Sequence, residues 1–202
     1  MQKIINGIKQ FQSQVYPNLK ADFEQLAQNQ SPRHLFITCS DSRIDPQLIT
    51  QSEPGELFVC RNAGNIVPPH EYDASGMNAS IEYAVSVREV EHIVVCGHSN
   101  CGAMKAVLNP ASLEALPQVK HWLQHCHHIQ VGPGQEKQIC PEQELKNVTR
   151  QNVVQQLKHL TSHPSIQTKL QRQEIELHGW VYDIETGKIE TYDHLSQQFI
   201  EL

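Results

Sequence analysis

The stretch His34-Leu35-Phe36-Ile37-Thr38-Cys39 is apolar or β-branched almost throughout, with none of the polar alternation of a half-exposed strand. Such a run reads as a strand buried on both faces of a sheet. Two more runs of the same kind follow, Glu56-Leu57-Phe58-Val59-Cys60 and His92-Ile93-Val94-Val95-Cys96. Between them, Ala74 to Arg88 places Met77, Ile81, Ala84, Val85 and Arg88 at helical spacing. Strand, helix and strand in that order, with continuously apolar strands, form βαβ units in a parallel sheet covered on both sides. The fold class is therefore α/β.

Working outward, the N-terminal residues place Ile4, Ile5, Ile8, Phe11 and Val15 on one helical stripe, with polar residues between. The expectation is two helices, residues 2–14 and 17–28, ending at the breaker cluster Asn29-Gln30-Ser31-Pro32. This is an amphipathic pattern, not the apolar core of a signal peptide. On the other side of the sheet motif, a polar helical region is expected from Ser112 to Leu160, broken near Gly132-Pro133-Gly134. The segment Glu174 to Tyr182 then alternates with period two, turns at Glu185-Thr186-Gly187-Lys188 and returns as Ile189 to Tyr192. That is a hairpin with an antiparallel strand at the sheet edge.

A chain of 202 residues with 39% hydrophobic content supports one sizeable core. We expect a single domain over 1–202, made of a helical arm (1–30) and an α/β core with a C-terminal hairpin (31–202). A net charge of -6 without any Lys/Arg run argues against nucleic acid or an anionic membrane surface as partner. No stretch approaches the roughly 20 apolar residues needed to cross a bilayer. Of the six cysteines, Cys39, Cys60 and Cys96 sit in or at the end of apolar runs, where cysteine is a small buried hydrophobe or a metal ligand. A reduced, cytoplasmic compartment fits this better than a disulfide framework.

Parallel sheets carry their chemistry in the loops leaving the carboxyl ends of strands. The first strand runs into Cys39-Ser40-Asp41-Ser42-Arg43, and the third into Cys96-Gly97-His98-Ser99-Asn100-Cys101-Gly102. A cysteine ending an apolar strand is more often a packing residue than a ligand. Both loops together, however, offer two thiolates and an imidazole, Cys39, His98 and Cys101, the donor types zinc prefers. Three protein ligands leave the exchangeable position of a catalytic zinc. Asp41 is near enough to be a fourth ligand, while Arg43 could hold it away in a bidentate pair, so an open and a closed site are both encoded. The group His121, His125, Cys126, His127 and His128 has ligand types but no opposing donors, and reads as a solvated helix face.

These strings resemble the β-class carbonic anhydrases, which carry Cys-x-Asp-Ser-Arg and, some sixty residues later, Gly-His-x-x-Cys-Gly. The likeness extends to Pro54-Gly55-Glu56, Arg61-Asn62-Ala63-Gly64-Asn65, Ile81-Glu82-Tyr83-Ala84 and Leu177-His178-Gly179-Trp180. Gln30, nine residues before Cys39, and Phe36, three before it, resemble the plant-type and carboxysomal-like branch. The branch regulated by non-catalytic bicarbonate has tryptophan at the latter place, although Arg61 and Tyr182 match other parts of its pocket. The loop Pro68 to Asp73 departs from the pattern, and the chain ends at Leu202 without the long tail of carboxysomal relatives.

The resemblance implies zinc-dependent, reversible hydration of carbon dioxide to bicarbonate and a proton by attack of zinc-bound hydroxide, with one zinc per chain. It implies a homodimer or larger assembly clasped by the N-terminal helices, with the active site near the dimer interface. Asp41 and Arg43 are the expected catalytic pair, Asp41 accepting a hydrogen bond from the hydroxide and Arg43 positioning Asp41. Phe58, Ala63 and Tyr83 match the family's apolar substrate niche. Gln30 and the Gly102 N–H are candidates to meet negative charge developing on substrate oxygens. Two alternatives stand beside this reading: a carbon disulfide or carbonyl sulfide hydrolase on the same fold, and a noncatalytic zinc-binding regulator. A purely structural site has no need of Arg43. Cys60 reads as a core residue, and Glu82 as an orienting or interface group.

Overall fold

In the computed structural model of the chain, which describes residues 1–71, 75–126 and 140–202, there are two compact units, Met1–Ser31 and Pro32–Leu202. The first contains α1 (Gln2–Gln10), a wider π-type turn over Phe11–Val15, and α2 (Tyr16–Leu26). The helices therefore end earlier than the expected 14 and 28, and the joint between them is helical. Pro17 is the cause: it has no N–H for the preceding turn, and a widened turn absorbs the lost bond. The rings of Phe11 and Phe23 meet at 6.4 Å, although a straight helix would separate them by about 18 Å, so the arm bends at this turn.

The second unit runs β1 (His34–Cys39), α3 (Pro46–Thr50), β2 (Leu57–Asn62), α4 (Gly76–Ser86), β3 (His92–His98) and α5 (Gly102–Leu108). It continues with α6 (Pro117–Trp122), α7 (Pro141–Leu160), α8 (Pro164–Gln171), β4 (Glu176–Tyr182), β5 (Ile189–Asp193) and β6 (Gln198–Glu201). The strands form one sheet in the order β2-β1-β3-β4-β5-β6; the first four are parallel and the last two antiparallel. Alternate residues of one strand enter different cores. Leu35, Ile37, Ile93 and Val95 pack with Ile81, Val85 and Leu160 on one face, and Phe36, Val94 and Cys96 with Met104 and Leu123 on the other. Both faces are covered, which is why these strands lack a polar alternation.

The antiparallel edge is two strands wide, one more than expected, because Tyr192 pairs with Phe199 across β5 and β6. The expected polar helix from 112 to 160 is interrupted: α6 passes into a 3₁₀ turn over Leu123–Cys126, and a long helix resumes at Pro141. The Gly132-Pro133-Gly134 break lies outside the described residues, as do Tyr72, Asp73, His127 and His128. Among the described residues no helix is long and apolar enough to cross a membrane.

Helix α7 approaches β3 and β4 closely through glycines. A Cβ on Gly179 would stand 2.8 Å from Leu157 Cδ1 and 2.9 Å from Val153 Cγ1, and one on Gly97 3.0 Å from Val153 Cγ2. Val153 is β-branched and fully buried, so it has little room to yield. Gly179→Ala should destabilise the fold by ~1–3 kcal/mol, read as a lower urea midpoint at unchanged slope.

Candidate metal centre

Strand β1 delivers Cys39 as its last residue, and β3 delivers His98 as its last. The chain then reverses through Ser99 and Asn100. Asn100 adopts a left-handed φ of 57°, which asparagine tolerates better than most residues, and Cys101 emerges just ahead of α5. The turn is pinned to the end of β4: Ser99 N–H donates to Tyr182 O (2.8 Å) and Ile184 N–H to Ser99 Oγ (2.9 Å). The result places the two sulfurs 4.0 Å apart, with the donor atoms of Cys39, His98 and Cys101 all within 4.8 Å of one another and all three residues buried.

The histidine orientation follows from its own bonding. His98 Nδ1 lies 2.9 Å from Ser99 O, a carbonyl that can only accept, so Nδ1 carries the proton. Nε2 is left as a bare acceptor, fully buried and without a hydrogen-bond partner among the described residues. An unpaired buried polar atom is costly unless something fills its lone pair. Two thiols and an imidazole nitrogen around one point fit a tetrahedral zinc, for which Zn–S bonds of ~2.3 Å give a sulfur separation of about 3.8 Å.

The sulfurs behave as a pair. Contact with Cys101 draws the Cys39 thiol down to about 4 against its burial, helped by the Gly64 N–H 3.4 Å away. The same contact, with burial, pushes Cys101 up. One thiolate forms readily and its charge opposes the second, an opposition that a dication would remove.

Asp41 stands beside this group, its Oδ2 3.9 Å from His98 Nε2. Both its oxygens are engaged by Arg43: Nε to Oδ1 at 2.9 Å, NH2 to Oδ2 at 2.7 Å, and the Arg43 backbone N–H to Oδ1 at 3.0 Å. The Arg43 hydrogen bonds hold the Asp41 carboxyl well below the usual carboxylate range. Arg43 also donates to Asn100 O (3.2 Å), linking the two loops. Arg61 donates to the carbonyls of Cys39, Asp41 and Ile44 at 3.0, 2.7 and 2.9 Å, so it braces the ligand loop from β2.

The remaining candidates are spread out. Gly102 opens α5 directly after Cys101, and Ala63 precedes Gly64, with its carbonyl accepting from Trp122 Nε1 at 2.9 Å. Phe58 and Tyr83 pack against each other at 6.1 Å. Phe58 is four residues before Asn62, the register partner of Cys39, hence about 13 Å down the strand from the ligand corner. Within one chain these two rings are not brought to the cluster. Gln30 belongs to the N-terminal unit.

The sequence reading missed a buried polar row on α7. Asn152 donates to Gly64 O (2.9 Å), Gln156 accepts from Val67 N–H (2.9 Å) and donates to Asn152 (2.9 Å), and His159 Nδ1 donates to Val67 O (2.8 Å). This row holds the loop that presents Gly64 to Cys39. Its signal was available: 152, 156 and 159 share one helical face flanked by Val153, Leu157 and Leu160. Cys126 corrects the solvated-face reading of its neighbourhood, since it is buried and donates to Asn152 Oδ1 at 3.4 Å. His121 is exposed and His125 half-buried. Burial pushes the Cys60 thiol up to about 11 and that of Cys126 up to about 12. Cys60→Ser and Cys126→Ser should therefore leave metal content, measured by mass spectrometry of the metal, at the wild-type value.

A family model described as carbonic anhydrase matches residues 34–189. The chain is 46% identical over 202 residues to a carbonic anhydrase of Pseudomonas aeruginosa, an alignment spanning 100% of this chain and 92% of that protein. It superposes on the β-carbonic anhydrase CcaA with a TM-score of 0.96 at 43% identity, covering 100% of this chain and 99% of that one. Against a tetrameric β-carbonic anhydrase of the filamentous ascomycete Sordaria macrospora the TM-score is 0.67 at 31% identity, over 94% and 92% of the two chains. Since the matched residues 34–189 include the corners that carry Cys39, His98 and Cys101 and the strands that position them, the chain belongs to the carbonic anhydrase family, in its β class.

Proposed function

We propose that this chain hydrates carbon dioxide reversibly to bicarbonate and a proton, with one zinc ion held by Cys39, His98 and Cys101. The observation that carries the reading is the bare, buried Nε2 of His98 facing two thiols beside an arginine-held carboxylate. When bound, zinc supplies an acidified water; the two thiolates offset its charge, so that water should ionise less readily than at a three-histidine site. Asp41, locked by Arg43, presents a carboxylate edge to the site and orients a hydroxyl there. Asp41 stays off the metal in the resting enzyme. Phe36, packed edge-on against Trp180 at 6.0 Å, supports placement in the plant-type branch rather than the bicarbonate-regulated one.

The niche for carbon dioxide requires a second subunit. Ala63 and the Gly102 N–H serve the site from the same chain, whereas Phe58 and Tyr83 serve the site of a partner. We read the chain as one functional domain that works in a homodimer or larger assembly. The exposed stripe Ile4, Ile5, Ile8, Phe11 and Val15 supports the arm as the clasp, and the Sordaria macrospora proteins provide a tetrameric precedent. Buried, unpaired cysteines suit a cytoplasmic enzyme.

Stopped-flow hydration of carbon dioxide with a pH indicator tests the activity, with carbon disulfide and carbonyl sulfide run in parallel. Turnover of the sulfur substrates without hydration of carbon dioxide would reject the reading. Deleting residues 1–14 should dissociate the assembly in ultracentrifugation and depress activity; a fully active monomer would refute the clasp.

A further inference from the structure

A second group of metal-ligand side chains lies at the opposite end of the sheet. His34, His92 and Glu176 are the first residues of β1, β3 and β4 and stand side by side in parallel register. Residues in register share a face, and His178 is two residues along β4 from Glu176, so all four side chains project to the same side. Backbone bonds lace these strand starts together: the Glu91 and His92 N–H groups both donate to Arg33 O (2.9 and 3.1 Å), and Glu176 N–H donates to Glu91 O (2.9 Å). The scaffold under the group is rigid.

The donor atoms converge. His92 Nδ1 and His178 Nε2 are 3.2 Å apart, and Glu176 Oε2 lies 3.6 Å from the first and 3.7 Å from the second. Bonds of ~2.1 Å in a tetrahedral site require donor separations of about 3.4 Å. The observed triangle has that size. The 3.2 Å contact joins two imidazoles, and a carboxylate oxygen equidistant from both rings adds a third donor of the kind a dication takes. The His34 ring stacks on His92 at 5.2 Å and limits its rotation. Both ligand imidazoles are about a third exposed, at 28% and 33%, so a hydrated ion can reach them. Burial and the neighbouring His92 lower His178, which reduces competition from protons at neutral pH.

We propose that His92, His178 and Glu176 form a second divalent-metal site, suited to zinc or another borderline transition-metal dication with solvent in the fourth position. It lies six residues along β3 from His98, about 20 Å away, too far to share a ligand or a substrate with the first centre. Its ligands come from β3 and β4, the last parallel pair of the sheet, so the ion acts as a clip across the starts of these two strands and binds the folded chain in preference to the unfolded one.

The test uses the intact zinc-containing enzyme, dialysed against micromolar zinc and analysed for metal per chain. Wild type should take up a second zinc. His178→Ala should lose it while keeping the first. Cys101→Ser should lose the first while keeping the second, which separates this proposal from the assignment of the catalytic centre. Glu176→Gln, an exposed change that leaves the fold alone, should weaken the second zinc by about ten-fold or more. With Cu²⁺ as the probe, electron paramagnetic resonance should report two nitrogen donors in wild type and fewer in His178→Ala. Wild type that binds a single zinc, or a second zinc bound with equal affinity in the His178→Ala and Glu176→Gln variants, would overturn the site.

Discussion

Cys101→Ser should emerge from purification without its catalytic zinc and with carbon dioxide hydration reduced to background. The substitution is nearly isosteric, so the loss isolates the thiolate. A serine hydroxyl remains protonated at neutral pH, and only a deprotonated group is a zinc ligand of this type. Two donors then remain, and His98 Nε2 keeps its buried lone pair unfilled. Any stabilisation by the ion is lost as well, on the order of 4 kcal/mol where free zinc exceeds its dissociation constant a thousand-fold. The apo variant should therefore also melt earlier than wild type. Full zinc occupancy in Cys101→Ser, measured by metal mass spectrometry, would sink the ligand assignment and leave the family membership untouched.

Arg43→Ala should produce the opposite combination: zinc retained, turnover lost by ~10²–10³-fold. In the folded chain the Arg43 side chain occupies both Asp41 oxygens, and without it the carboxylate loses its countercharge and keeps only the backbone N–H of residue 43, with Oδ2 3.9 Å from His98 Nε2. Asp41 should swing onto the metal and close the fourth position. Arg43→Lys should fall between, because a point charge cannot reproduce the bidentate fork. The ion pair also bears on pH. A carboxyl held well below the usual range is ionised throughout neutral and alkaline conditions, so Asp41 adds no titration there. Hydration should rise smoothly toward alkaline pH, without the steep cooperative loss on acidification of a bicarbonate-locked enzyme. A crystal structure of the wild type near pH 8 with Asp41 on zinc in every chain would contradict the open resting site.

Much of this was legible in the residues because it is local. A strand buried on both faces must be continuously apolar, so β1, β2 and β3 announced themselves, and a donor residue placed straight after such a run can only lie at a strand end. Cys39, Asp41, Arg43, His98 and Cys101 were found that way. Element ends were less secure: His98 lies inside β3, not beyond it, because pairing with Tyr182 on β4 extends the strand past its apolar run. The row Asn152, Gln156 and His159 stands on a face flanked by apolar residues, which marks it as buried, but its partners, in the loop Gly64 to Val67 some ninety residues earlier, are named only by the tertiary structure. Strand β6 is four residues long and carries almost no pattern; it exists because Tyr192 offers Phe199 a partner.

What the sequence by itself determined is the set of chemistries carried at each strand end, since local hydrophobic pattern dictates where a buried strand stops and its loop begins. What only the tertiary structure decided is which of those ends meet, and in what register. Phe58 was named with the site and lies about 13 Å down β2 from it, a separation set by the β1–β2 pairing. His92, Glu176 and His178 were read only as parts of strands and of a family string, and their donor atoms stand within 3.7 Å of one another, because β3 and β4 pair in parallel across some eighty intervening residues. Register is a property of two strands, and in a strand such as β3, buried on both faces, no polar alternation is present to fix it.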